Sequence, residues 1–169
     1  MFTGVGKVEL VSEEFSPPEL LSRDELLLKT EHTLISQGTE MDCLMNRIAT
    51  QTQYPKNLGY SAVAIVLQCG SEVTEFQEGD RVLVYHSSHS DYLIKNRKDL
   101  VRVPNGLAGE EAVLAVVGAM GFQGLRKIRP ELGETIMVMG LGLLGQISAQ
   151  TAALSGAFPL LVKIGRAHV

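Results

Sequence analysis

The chain has no tryptophan, two cysteines and only 5% aromatic residues. So few aromatics exclude a stacking platform for the bases of single-stranded nucleic acid. A net charge of −4 without any basic run removes the electrostatic footprint of a duplex binder. Cys43 and Cys69 form no CxxC, and no Cys/His cluster has zinc-site spacing, so both are read as small buried apolar residues. No run reaches the roughly 18 apolar residues a membrane span needs. Met1–Leu10 has neither the charged nor the apolar region of a secretory signal. These absences predict a soluble, cytoplasmic chain with no membrane or nucleic-acid partner. What the composition does offer is core material: 45% hydrophobic and 20% charged residues, enough for one or two small domains.

The most informative stretch is Glu134–Val162. Thr135–Met139 is an apolar run of buried-strand length. Gly140-Leu-Gly142-Leu-Leu-Gly145 follows at once, and Gln146–Ser155 then carries the apolar spacing and helix formers of a helix packed on a sheet. Gly156 is placed to cap that helix, and Phe158–Val162 is a second apolar strand. A strand, G-x-G-x-x-G, helix and strand in this order predict dinucleotide binding. Gly140 allows the tight turn, Gly142 lets the backbone approach a pyrophosphate, and Gly145 lets the helix lie against the strand. The amides of Leu143 and Leu144 would face the phosphates from a helix N-terminus. The acidic residue that holds the adenosine ribose belongs about 20 residues past the glycines. The chain there reads Lys163-Ile-Gly-Arg-Ala-His-Val169.

Upstream, strands are predicted over Lys7–Val11, Thr30–Ser36 (led into by Asp24–Lys29), Gly59–Cys69, Arg81–Tyr85, Ser90–Ile94 and Leu100–Val103. Thr39–Asn46 reads as a short helix and Ala49–Asn57 as a loop. Many short strands with glycine turns predict a small barrel. Gly109–Ile128 is helical, but Gly118, Gly121 and Gly124 cost about 1 kcal/mol each against alanine. A break near Gly118–Gly121, giving two helices, is therefore expected. The glycines would also leave a smooth face for another backbone or a cofactor.

An all-β domain that feeds through a helix into such a unit resembles the medium-chain dehydrogenase/reductase superfamily, the alcohol-dehydrogenase-like proteins. The resemblance covers about residues 5–162. It rests on Gln37-Gly-Thr-Glu40, Leu58-Gly-Tyr-Ser61, Gly70–Val73 with Glu78-Gly-Asp-Arg-Val82, and Gly140–Gln146, in that order. It implies an α+β part followed by an α/β part: an N-terminal GroES-like β-barrel domain over 1–115, then the start of a Rossmann domain over 116–162 for NAD or NADP. A small-molecule substrate would sit in the cleft between them, and the parent protein would be a homo-oligomer.

Zinc-dependent members place a Cys where this chain has Gln37, and a His followed by a Glu where it has Tyr60 and Ser61, with a third ligand, Cys or an acid, expected near Val116. An amide and a phenol are poor replacements for thiolate, imidazole or carboxylate. The four-cysteine loop of the structural zinc is missing as well, so no metal is expected and the chain resembles zinc-independent members. His86 and His89 are the remaining metal candidates, but they lack a third ligand, and His89 is read as orienting its loop by hydrogen bonds. His32 is read as structural. By the resemblance, Thr39 stands where the family's hydroxyl touches the substrate oxygen; its other reading is a helix N-cap. Tyr60 is either a general acid for an enolate or alkoxide, or a strand tyrosine packed beneath the cleft. Glu40 is read as a local charge partner.

The resulting expectation is an NAD(P)-dependent oxidoreductase that transfers hydride between its cofactor and a small alcohol, carbonyl or enone without catalytic zinc. The alternative is a non-catalytic GroES-like binding or assembly module. A methyltransferase-like enzyme is disfavoured by the β domain ahead of the glycines. Ile164–Val169 resembles the translation of a common short-read sequencing adapter, which predicts an artefactual tail over 163–169 and a Rossmann domain cut after its first β-α-β. The truncated sheet is then expected to be poorly covered, prone to aggregation, and weak in cofactor binding.

Overall fold

The computed structural model describes residues 1–47 and 53–163; the loop assignment over 49–52 and the reading of 164–169 lie outside the described residues. The chain divides into two units, Met1–Leu114 and Ala115–Val169.

In the first unit, β1 (Phe2–Gly4) and β2 (Lys7–Val8) form a small antiparallel hairpin. The strand expected over Lys7–Val11 thus shrinks to two residues, because β2 pairs only with the short β1. Five further strands follow: β3 (Glu25–Thr33), β4 (Ser61–Cys69), β5 (Arg81–Tyr85), β6 (Tyr92–Asn96) and β7 (Leu100–Arg102). They pair antiparallel in the order β6-β3-β4-β5-β7. β3 begins at Glu25, so the expected strand at Thr30–Ser36 starts earlier and ends sooner. The reason is pairing on both sides: Leu26, Leu27 and Leu28 lie between β4 and β6 and are all buried.

The core explains the continuous apolar run of β4. Ala62, Ala64 and Val66 turn to one cluster with Leu26, Leu28, Val82 and Val84, whereas Val63 turns the opposite way towards Val103, Ala112 and Val113. A strand covered on both faces needs apolar residues at every position rather than alternation. The hydrogen-bonded order ends at β6 and β7, yet Leu93 from one edge and Leu100 from the other enter the same cluster, which is the packing of a strongly curled sheet. Burying each such valine or leucine stabilises the unit by roughly 1.5–3 kcal/mol. The helix α1 (Gln37–Leu44) follows β3, and α2 (Gly109–Ala112) covers the Val63 side.

The second unit holds α3 (Ala115–Ile128), β8 (Thr135–Met139), α4 (Leu143–Leu154) and β9 (Phe158–Val162). The helical break falls at Val113–Leu114, not at Gly118–Gly121, and α3 runs unbroken through its three glycines. Packing supplies what the glycines lack: a Cβ at Gly121 would stand 3.1 Å from Ser148 Oγ on α4, while Gly118 and Gly124 face open space. β8 and β9 pair in parallel from Thr135↔Phe158 to Met139↔Val162. Leu125, Ala152 and Ala157 form a small core with Ile136 against it. Met137, Met139, Phe158, Leu160 and Leu161 remain exposed.

Candidate cofactor and substrate sites

The turn between β8 and α4 is built by its three glycines. Gly140 has φ +96°, a conformation that side chains rarely adopt, and its amide donates to Val162 O at 2.8 Å. A Cβ on Gly145 would lie 1.9 Å from Gly140 O, so only glycine lets α4 start this close to the strand end. Gly142 is the N-cap, makes no side-chain cap, and has nothing within 4 Å of where a Cβ would stand. Gln146 Nε2 braces the turn by donating to Leu141 O at 3.0 Å. α4 actually begins at Leu143, three residues before the expected Gln146, and ends at Leu154 with Ser155, rather than the expected Gly156, as its C-cap. Leu143 and Leu144 therefore lie in the first helical turn, where amides have no intrahelical partner and the dipole favours an anion. With no acidic residue in that turn, the donors fit a pyrophosphate.

In the first unit, α1 starts at Gln37 and its N-cap is Ser36, so Thr39 lies within the helix rather than capping it. The Glu40 side chain makes the difference: Oε1 accepts from the Ser36 amide at 2.7 Å, and the Glu40 amide donates to Ser36 O at 2.8 Å. Thr39 itself is exposed. Tyr60 immediately precedes β4 and is half-buried; its carbonyl accepts from the His86 amide at 3.1 Å, and its ring meets the His86 ring edge-on at 6.4 Å. His86 has φ +50°, and its ring lies tilted at 49° to the Tyr85 ring with centroids 3.9 Å apart. Gly59 permits this arrangement, since a Cβ there would meet Ser87 O at 2.1 Å.

His89 is held from both sides. Nδ1 lies 2.9 Å from Thr33 Oγ1 and Nε2 lies 3.0 Å from Glu40 Oε2. Glu40 is buried, and the sequence reading of it as a local partner corresponds to this hydrogen bond with His89. His32 Nε2 faces Glu110 Oε1 at 4.0 Å. Among the described residues, no three His, Cys, Asp or Glu side chains gather as a metal site. Ser61, the residue after Tyr60, is buried and donates to Val113 O at 2.7 Å. The His89–Glu40–Thr33 chain was not legible from spacing, because its members stand 49 and 56 residues apart. Among the described residues, no helix is long and apolar enough to cross a membrane.

Comparison with known proteins agrees with this architecture. Residues 22–124 match the family model of the alcohol dehydrogenase GroES-like domain. D-guloside 3-dehydrogenase of Escherichia coli K12 is 32% identical over 102 residues, which is 59% of this chain and 29% of that protein. NADP-dependent isopropanol dehydrogenase of Thermoanaerobacter brockii is 31% identical over 137 residues, covering 38% of that protein. The structure of Escherichia coli quinone oxidoreductase complexed with NADPH superposes with a TM-score of 0.74 at 21% identity, over 91% of this chain and 48% of that one. The chain therefore spans at most about half the length of these proteins. By the match over 22–124, the chain belongs to the alcohol dehydrogenase GroES-like family of medium-chain dehydrogenases/reductases.

Proposed function

We propose that the chain is the leading part of an NAD(P)-dependent oxidoreductase that moves hydride between its nicotinamide cofactor and a small alcohol, carbonyl or enone without catalytic zinc. The observation that carries this reading is the Gly140–Gly145 turn, open at Gly142 and closed at Gly145, between two parallel strands. In this reading residues 1–115 form the catalytic domain and 116–162 begin the dinucleotide domain. The cofactor, when bound, supplies the hydride chemistry. Gly140, Gly142 and Gly145 would leave room for the pyrophosphate, and the amides of Leu143 and Leu144 would hold it. The Thr39 hydroxyl would donate a hydrogen bond to the substrate oxygen, and the Tyr60 phenol would give or take its proton. Gln37 and Tyr60, standing where zinc members carry a Cys and a His, support operation without zinc, since an amide and a phenol are poor zinc donors.

The test is turnover of NADH and NADPH with a panel of aldehydes, ketones and enones, before and after chelation, using the polypeptide of the intact reading frame. Turnover that survives chelation supports the reading. Turnover abolished by chelation and restored by zinc contradicts the zinc-free part of it. No turnover with any member favours a binding or assembly role.

A further inference from the structure

The chain has four asparagines, and one of them differs in the residue that follows. Asn46, Asn57 and Asn96 precede Arg47, Leu58 and Arg97, whereas Asn105 precedes Gly106. The side-chain carbonyl carbon of an asparagine, Cγ, lies within reach of the backbone nitrogen of the next residue. A side chain on that residue crowds the approach, and glycine has none.

The turn around Asn105 leaves the approach open. Residues 104–107 lie between β7 and α2, and residues 104–108 are all exposed. Gly106 has φ +86°, with nothing within 4 Å of where a Cβ would stand. One hydrogen bond closes the turn, from the Leu107 amide to Pro104 O at 3.3 Å. That is longer than the roughly 2.7–3.2 Å of a good N–H···O bond, so the turn opens easily. Among the described residues, neither the Asn105 side chain nor the Gly106 amide has a hydrogen-bond partner. Asn96 is the contrast: its Oδ1 accepts from the Lys98 amide at 3.1 Å as the cap of the Arg97–Asp99 turn.

We propose that Asn105-Gly106 is a self-modification site, where the Gly106 nitrogen attacks Asn105 Cγ and the side-chain amide is lost. The new N–Cγ bond forms as the Gly106 amide proton passes to solvent. The Cγ–Nδ2 bond breaks, and the nitrogen leaves as ammonia after taking a proton from solvent. Water then opens the resulting succinimide ring at one of its two carbonyl carbons. Attack at Cγ gives aspartate. Attack at the main-chain carbonyl carbon gives isoaspartate, in which the backbone runs through Cβ and Cγ and is one atom longer. Water is the only co-reactant and nothing is oxidised or reduced. Either product puts a carboxylate where the amide stood.

Both flanks of the turn are pinned. The Val103 amide donates to Arg81 O at 2.9 Å, and Ala108 O accepts from the Ala112 amide at 2.9 Å. An extra backbone atom between these points displaces α2 from Val63 and Val103, against which its Ala112 packs. Aspartate keeps the native chain length and leaves α2 in place.

The test incubates the full 169-residue chain at mildly alkaline pH and follows its peptides by mass spectrometry, with electron-transfer fragmentation separating aspartate from isoaspartate. Conversion at Asn105 should run about tenfold or more faster than at Asn96, a barrier lower by about 1.4 kcal/mol, and should yield both products. Asn105→Gln, one methylene longer, should abolish the conversion at 105 with an unchanged circular dichroism spectrum. In hydrogen exchange the isoaspartyl form should lose protection at the Ala112 amide, and Asn105→Asp should keep it. Conversion at Asn105 no faster than at Asn96, or an acid appearing as fast at 105 in Asn105→Gln, would overturn the site. Protection at Ala112 retained in the isoaspartyl form would overturn the effect on α2.

Discussion

The Ser61 hydroxyl donates to the Val113 carbonyl at 2.7 Å, across 52 residues of sequence and wholly within the core. That carbonyl follows α2, at the point where a continuous helix would offer it to the amide four residues on. This hydroxyl thus ties the first residue of β4 to the end of α2. The same bond accounts for the helical break at Val113–Leu114.

Ser61→Ala should leave the Val113 carbonyl buried without this donor and cost about 1–3 kcal/mol. Urea denaturation followed by circular dichroism checks it, with a lower midpoint and an unchanged slope as the expected result. An unchanged midpoint would show that another donor takes the carbonyl.

Gly59→Ala places a methyl 2.1 Å from Ser87 O, a backbone atom that cannot swing away. The 86–89 loop should shift, at a cost of roughly 1–3 kcal/mol. Hydrogen exchange should accelerate at the His86 and His89 amides, which donate to Tyr60 O and Leu58 O at 3.1 and 3.0 Å. Unaltered protection at both amides would mean the loop absorbs the methyl.

The glycines at 142 and 145 should respond in opposite ways. Gly145→Ala drives a methyl to 1.9 Å from Gly140 O and should loosen α4 against β8, read as lost protection of α4 amides. Gly142→Ala meets open space and should leave that protection unchanged. If the turn holds a pyrophosphate, the second variant still weakens NADH or NADPH binding in the complete protein, because its methyl occupies the approach path. Loss of α4 protection in Gly142→Ala would place its effect in the fold instead.

Cys69 should resist alkylation at neutral pH. Burial raises its thiol pKa, and the neighbouring carboxylates of Glu78, Asp80 and Glu75 raise it further. A raised pKa means that the native state holds the proton more tightly than the unfolded state. Stability from this group is therefore present at low pH and declines as the pH rises through the thiol range. Peptide-resolved iodoacetamide labelling against pH should show a Cys69 midpoint above that of an unstructured cysteine peptide. A midpoint at or below the peptide's would refute the shift.

Much of the fold was legible because its signals are local. Thr135–Met139, Phe158–Val162 and Arg81–Tyr85 occur with the boundaries their apolar runs predict. Boundaries failed where partners decide them. β3 starts at Glu25 because two neighbouring strands extend its pairing, and α3 passes through Gly118, Gly121 and Gly124 because α4 packs on Gly121.

The sequence by itself determined the order of elements and the chemistry of the turn at Gly140–Gly145, since apolar period and the conformational freedom of glycine are properties of neighbouring residues. Only the tertiary structure decided that Glu40, His89 and Thr33 form one hydrogen-bonded chain, and that Ser61 closes α2. Those contacts join residues far apart in the chain, and a hydrogen bond depends on distance and direction in space, which spacing along the sequence does not encode.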